Sequence, residues 1–135
     1  MPFWVSYYHI IWATKYRQPI ITSACEPIIH HAINRKVAQL KCHIYTMNGV
    51  ADHIHIAMSI PPSLTVAYVI SQLKGASSYE INHTFPNQDA FHWQGSYGGL
   101  TFGEKALPFV LDYIHHQKIH HRDGTSIAYL ENTAE

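Results

Sequence analysis

The chain is short of charge, of cysteine and of long apolar runs, and each shortage removes a class of explanation. Charged residues make up 13%, and nine Lys plus Arg balance nine Asp plus Glu, so any basic surface has to be local rather than global. The two cysteines, Cys25 and Cys42, are far apart and form no C-x-x-C. That argues against a disulfide framework or a zinc knuckle and fits a reduced, cytoplasmic setting. No stretch approaches the ~20 consecutive apolar residues of a membrane span, and the opening MPFWVSYYHIIWATKYR lacks the early positive charge and small-residue cleavage pattern of a signal peptide. No membrane partner is expected. Neither G-x-x-x-x-G-K-[ST] nor G-x-G-x-x-G occurs, so no glycine-rich phosphate loop is available for nucleoside-triphosphate chemistry.

What remains is a chain of 135 residues, 47% of them apolar. That is enough for one domain, 1–135, read as a folded core over about 1–122 and a C-terminal tail over 123–135. Twelve histidines are the compositional oddity. Their charge changes between about pH 5 and 8, and imidazole is a common metal ligand.

Aromatic and β-branched residues from Trp4 to Thr14 predict a first strand. Ile28, Ile29, Ala32, Ile33, Val37 and Leu40 recur at helical spacing, so Ser23 to Leu40 reads as a helix. Cys42–Val50 and Asp52–Ile60 read as a hairpin with its connection around Asn48 and Gly49. Pro61 and Pro62 stop that strand, and Ser63 is placed to cap a second helix running to about Asn82. Ala90–Phe102 predicts a glycine-interrupted strand, and a last helix starts near Pro108 and fades at His120–Gly124. The order β-α-β-β-α-β is ferredoxin-like: an α+β fold with an antiparallel sheet, two helices on one face, and here one extra C-terminal helix.

Within DHIHIAMSI, residues 52–60, side chains alternate between the two faces of a strand. Ile54, Ile56, Met58 and Ile60 therefore face the helices, while His53 and His55 share the other face, ~6.5–7 Å apart at Cα. Two imidazoles so placed either rest on a wet sheet face or converge on one cation. Asp52 and Asn48 are candidates to orient an imidazole through its second nitrogen. On the last helix, Tyr113 and Gln117 lie one turn apart on the same face. They offer a phenol nucleophile and an amide oxygen as a third ligand. A buried packing role for the tyrosine is the competing reading.

Five stretches in order turn these options into a resemblance: YHIIWATKYR (8–17), DHIHIAMSIPP (52–62), LKGASS (73–78), FHWQGSYG (91–98) and YIHHQ (113–117). Together they resemble the single-tyrosine HUH transposases of the IS200/IS605 type, related to the REP-associated tyrosine transposases. The resemblance implies cleavage and rejoining of single-stranded DNA at hairpin-marked element ends. Tyr113 would be the nucleophile, leaving a 5′-phosphotyrosine and a free 3′-hydroxyl. His53, His55 and Gln117 would hold Mg2+ or Mn2+. It also implies a homodimer in which the tyrosine helix of one subunit can complete the site of the other.

Lys15, Arg17, Lys74 and Arg122 are the cations near the matched segments and the candidates for DNA contact. Trp93 is read as core, and His115, His116, His120 and His121 as a polar helix face. Two other readings stand beside the transposase. One is a hairpin-binding relative without catalysis, and the other is a metal-dependent phosphoesterase using water in place of Tyr113.

Overall fold

The computed structural model describes residues 3–134; residues 1, 2 and 135 of the expected domain lie outside the described residues. Four strands form one antiparallel sheet in the order β2-β3-β1-β4, with β1 at Tyr8–Ala13, β2 at His43–Val50, β3 at His53–Ser59 and β4 at Gly98–Thr101. Helix α1 (Cys25–Gln39) crosses from β1 to β2, and α2 (Val66–Thr84) from β3 to β4. Each crossover skips one strand, which is the expected ferredoxin-like α+β fold.

Alternation along β3 sorts its side chains as expected. Ile54, Ile56, Met58 and Ile60 join Ile10 and Trp12 of β1 in a core with Ile29, Ile33 and Val37 of α1 and Val69, Ile70 and Leu73 of α2. Each fully buried branched side chain contributes roughly 1.5–3 kcal/mol relative to exposure. The opposite face is covered as well: Ala57 packs against Val110 and Ile114 of α3 (Leu107–His115).

Several boundaries differ from expectation, each for a local reason. Strand β1 starts at Tyr8 because the Ser6 hydroxyl bonds both the amide and the carbonyl of Ile60, at 2.9 and 3.1 Å, in place of a ladder. The β2–β3 turn falls at Ala51–Asp52 rather than Asn48–Gly49, its carbonyls accepting from Ile21 and Thr14, each at 2.9 Å. Thr65, not Ser63, caps α2, accepting from the Tyr68 amide at 3.1 Å. The strand expected over Ala90–Phe102 shrinks to Gly98–Thr101, preceded by one bridge between Trp93 and Thr14. There the Lys74 ammonium takes the carbonyls of Gln94 and Ser96, at 3.0 and 2.8 Å, that a longer strand would have used.

The last helix is two helices. His116 (φ −100°, ψ 24°) breaks it between α3 and α4, Gln117–Asp123, and Gly124, in the left-handed region at φ 70°, ends α4. Lys118 fixes α4 to the rest of the fold, reaching Glu26 of α1 at 2.9 Å, Asn48 Oδ1 at 2.7 Å and the Gly49 carbonyl at 3.1 Å. The segment read as a tail is not left free. A short 3-10 turn, Ala128–Glu131, lies against the site, and Thr133 is 1% exposed. Among the described residues no helix is long and apolar enough to cross a membrane.

Two glycines give a paired prediction. A Cβ at Gly49 would lie 2.4 Å from the His53 carbonyl oxygen, a backbone atom of the paired strand, whereas one at Gly75 in α2 meets nothing within 4 Å. Gly49→Ala is expected to cost ~1–3 kcal/mol by overpacking. Gly75→Ala is expected to gain ~0.5–1 kcal/mol from helix propensity. Both are read as shifts of the urea midpoint at unchanged m-value.

Candidate active site

Strand β3 delivers His53 and His55, 2% and 0% exposed, to the face beneath α3 and α4. Both rings are held through one nitrogen, leaving the other aimed at a common point. His53 Nδ1 lies 2.7 Å from Asp52 Oδ1, and His55 Nδ1 lies 2.7 Å from His9 Nε2 on the neighbouring strand. This is how metal-ligating imidazoles are held, since the outer partner fixes the tautomer and the ring orientation. Asp52 is itself braced by Arg17 at 3.7 Å. Asn48, the other candidate orienter, instead donates to the His115 carbonyl at 2.9 Å and ties β2 to the α3–α4 break.

At the common point sits a carboxylate from the far end of the chain. Glu131 Oε1 is 2.9 Å from His53 Nε2, 3.0 Å from His55 Nε2 and 3.0 Å from His121 Nε2. Its second oxygen accepts a short hydrogen bond from the Tyr113 phenol and one at 3.3 Å from the Gln117 amide. Gln117 Oε1 in turn faces His121 Nε2 at 3.1 Å. The Tyr113 ring lies 6.1 Å from the His55 ring and stacks on His120 at 4.7 Å, and its oxygen also accepts from the Ile127 amide at 2.8 Å.

The structure therefore brings Tyr113, His53, His55 and Gln117 together in one chain, although Tyr113 and Gln117 lie on opposite sides of a helix break. Three participants were not anticipated from sequence. His121, expected on a polar helix face, turns its ring toward His53, 4.7 Å centroid to centroid. His9 and Glu131 carried no sequence signal, because a lone histidine in an apolar strand and a lone glutamate near a C-terminus are both ordinary. The candidate DNA cations are spread out. Lys15 is exposed with its ammonium over the Tyr16 ring, and Arg122 is exposed beside Asp123. Arg17 reaches Asp52 and the Thr133 hydroxyl, while Lys74 is engaged with backbone carbonyls and the Trp12 and Tyr97 rings. Trp93 packs edge-on to Trp12 and Phe91 and donates to Ser77 at 2.9 Å, as a core residue does.

Electrostatics follow from this crowding. Burial opposes ionisation of Glu131, but hydrogen bonds from His53 and His55 outweigh it and hold the carboxyl far below the usual carboxylate range. Burial lowers the pKa of His55, and it lowers that of His9 to about 3, with the neighbouring His55 adding to the effect. Burial, then the hydrogen bond to Glu131, pushes the Tyr113 phenol up to about 12. As held here, the Tyr113 phenol is protonated at neutral pH. The donors fit a divalent cation: ligand atoms of His53, His55, His121 and Glu131 all lie within 4.8 Å of one another.

Comparison with known proteins places the chain in a family. Residues 2–117 match the family described as "Transposase IS200 like", and the chain belongs to that family. It is 31% identical to the transposase for insertion sequence element IS200 of Salmonella typhimurium over 120 residues, covering 84% of this chain and 78% of that protein. It is 28% identical to the ISDra2 transposase TnpA of Deinococcus radiodurans over 115 residues, 82% of each. The fold is similar to a crystal structure of a transposase from Deinococcus radiodurans, with TM-score 0.69 at 24% identity over 87% of this chain and 95% of that one. It is also similar to a REP-associated tyrosine transposase bound to a REP hairpin, with TM-score 0.66 at 13% identity over 93% and 74%. The protein is thus a transposase of the IS200/IS605 kind, a DNA-cleaving enzyme.

The phenol offers a check on this electrostatic picture. Glu131→Gln removes the charge beside Tyr113 while burial persists, so the Tyr113 pKa is expected to fall from about 12 toward, without reaching, the ordinary ~10. A pH titration of the Tyr113 ring carbon by NMR, with labelled tyrosine, reads this directly. An unchanged midpoint would mean the carboxylate has no part in holding the proton.

Proposed function

We propose that this transposase cuts and rejoins single-stranded DNA at hairpin-marked ends, with Tyr113 as nucleophile. The observation that carries the reading is the position of the Tyr113 phenol, which shares one carboxylate with His53, His55 and Gln117 within a single chain. The phenol oxygen forms a bond to phosphorus, the P–O3′ bond breaks, and the products are a 5′-phosphotyrosine and a free 3′-hydroxyl. The phenol proton leaves to a base or solvent, and the departing oxygen takes one up. Because the phosphotyrosine conserves the energy of the broken ester, a 3′-hydroxyl can reverse the step without ATP. That agrees with the lack of any glycine-rich phosphate loop in the sequence.

His53, His55 and Gln117 are the proposed ligands of Mg2+ or Mn2+, which when bound supplies charge withdrawal from a non-bridging phosphate oxygen. Asp52 and His9 keep the two imidazoles in register for that role. Exposed Lys15 and Arg122 are the cations best placed to meet DNA phosphates. Arg17 acts through Asp52, and Lys74 through the loop that it pins. Since global charge is balanced, these few contacts predict a shallow salt dependence, roughly 0.7 in log–log slope per neutralised phosphate of a single strand. Hairpin recognition is supported by a fold shared with a hairpin-bound relative. The free thiols Cys25 and Cys42 suit a cytoplasmic setting.

A homodimer remains part of this reading, with the tyrosine acting in its own chain; the contact of Tyr113 with the carboxylate beside His53 and His55 supports this. The test uses single-stranded oligonucleotides with hairpin ends plus Mn2+, followed by denaturing electrophoresis. Wild type is expected to give a denaturation-resistant protein–DNA band, and Tyr113→Phe none. Turnover retained in Tyr113→Phe would favour a water-using phosphoesterase, and binding without any cleavage in wild type would favour an inactive hairpin binder. Mixing Tyr113→Phe with His53→Ala is expected to restore no adduct; restoration would show that the site is shared between subunits.

A further inference from the structure

Glu131 is delivered to the imidazoles by a segment built for the purpose. On one side the Ile127 amide donates to the Tyr113 phenol at 2.8 Å. On the other, Thr133 is buried, its carbonyl accepting from Gln94 Nε2 at 3.0 Å and its hydroxyl from Arg17 at 3.1 Å. Between them the Asn132 carbonyl rests where residue 98 has no side chain: a Cβ there would lie 1.8 Å from that oxygen. The position of Glu131 is thus fixed from both flanks.

The donor and acceptor pattern around Glu131 is that of a ligand set. With Asp52 beside His53 Nδ1 and His9 beside His55 Nδ1, both rings turn their Nε2 atoms to the one point where Glu131 Oε1 lies, so a cation there would meet both nitrogens once they give up their protons. His121 Nε2 is directed there too, at 3.0 Å. Gln117 is not: its carbonyl oxygen faces His121, and it is the amide nitrogen that meets Glu131.

We propose that in the DNA-free protein a divalent transition-metal ion is held by His53, His55, His121 and the tail carboxylate of Glu131, which the scissile phosphate must replace. This rests on the transposase reading above and deepens it by assigning two ligands outside the histidine pair and Gln117. Imidazole nitrogens favour ions such as Mn2+, Co2+ and Zn2+ over Mg2+, which prefers oxygen ligands and retains its waters. A carboxylate and a phosphate oxygen are interchangeable hard anionic donors, so the tail stands in for substrate until DNA arrives. Gln117, with its amide turned, then becomes available as the replacement ligand.

The experiment titrates metal-free, full-length protein with Co2+, following its visible absorption and the heat of binding. Glu131→Gln, nearly isosteric, and His121→Ala are each expected to weaken Co2+ binding by at least about 10-fold and to alter the spectrum. Mg2+ is expected to compete only in large excess. The wild-type protein loaded with Mn2+ should show hyperfine coupling to three imidazole nitrogens by pulsed EPR, a readout that needs no variant. Wild-type affinity and spectrum in both Glu131→Gln and His121→Ala, or coupling to two nitrogens only, would overturn the proposal. His53→Ala separates the two readings. If it abolishes binding while Glu131→Gln does not, this ligand set is wrong and the histidine-pair site stands. If it too leaves binding intact, the metal site of the proposed function fails as well.

Discussion

Strand β3 is hydrogen-bonded on both edges, to β1 on one side and β2 on the other, and the chemistry depends on that constraint. A central strand cannot slip by one residue without sending Ile54, Ile56 and Met58 to the wrong face. The cost of exposing those three buried side chains therefore also locks His53 and His55 onto the face under α3 and α4. Pairing with β1 does a second service. It sets Ile11 opposite His55 and His9 opposite Ala57, and from there the His9 ring reaches His55 Nδ1. One Nδ1 of that relay, on His9, is buried with no hydrogen-bond partner, a polar cost borne where the imidazole pair is oriented.

The rest of the site comes from parts with less regular geometry. The helix break at His116 separates α3 from α4 while Gln117, His121 and Tyr113 still meet at Glu131, and Lys118 holds α4 against α1 and the β2–β3 hairpin. The C-terminal segment then closes over the site. Four unrelated pieces of backbone, a strand, two short helices and a 3-10 turn, meet at one carboxylate. Because Glu131 is charged and the phenol is not, the same contact that binds the tail adds to burial in keeping the Tyr113 phenol protonated.

Legibility in the sequence tracks the range over which each feature is determined. The alternation of HIHIAMS, the helical spacing over 28–40 and the order of elements are local periodicities, and the ferredoxin-like sheet with its histidine pair follows from them. Tyr113 and Gln117 could be singled out by spacing and by resemblance, although the break between them could not. His9 was hidden because its partner lies 46 residues away, and Glu131 because it is 78 residues from His53. Neither has a periodic pattern around it. Ala90–Tyr97 misled because its aromatic alternation looks like a strand, whereas Phe91 and Trp93 are there to fill the core and Lys74 takes the carbonyls.

The central claim is that the imidazole pair and the phenol address one cation. Its most direct test adds a small amount of Mn2+ to protein carrying labelled histidine and tyrosine rings and follows paramagnetic broadening by NMR. The account predicts that the His53, His55 and Tyr113 ring signals vanish together and first, while those of His30, His43 and His83 stay sharp. Early loss of His115 and His116, with His53, His55 and Tyr113 untouched, would contradict it.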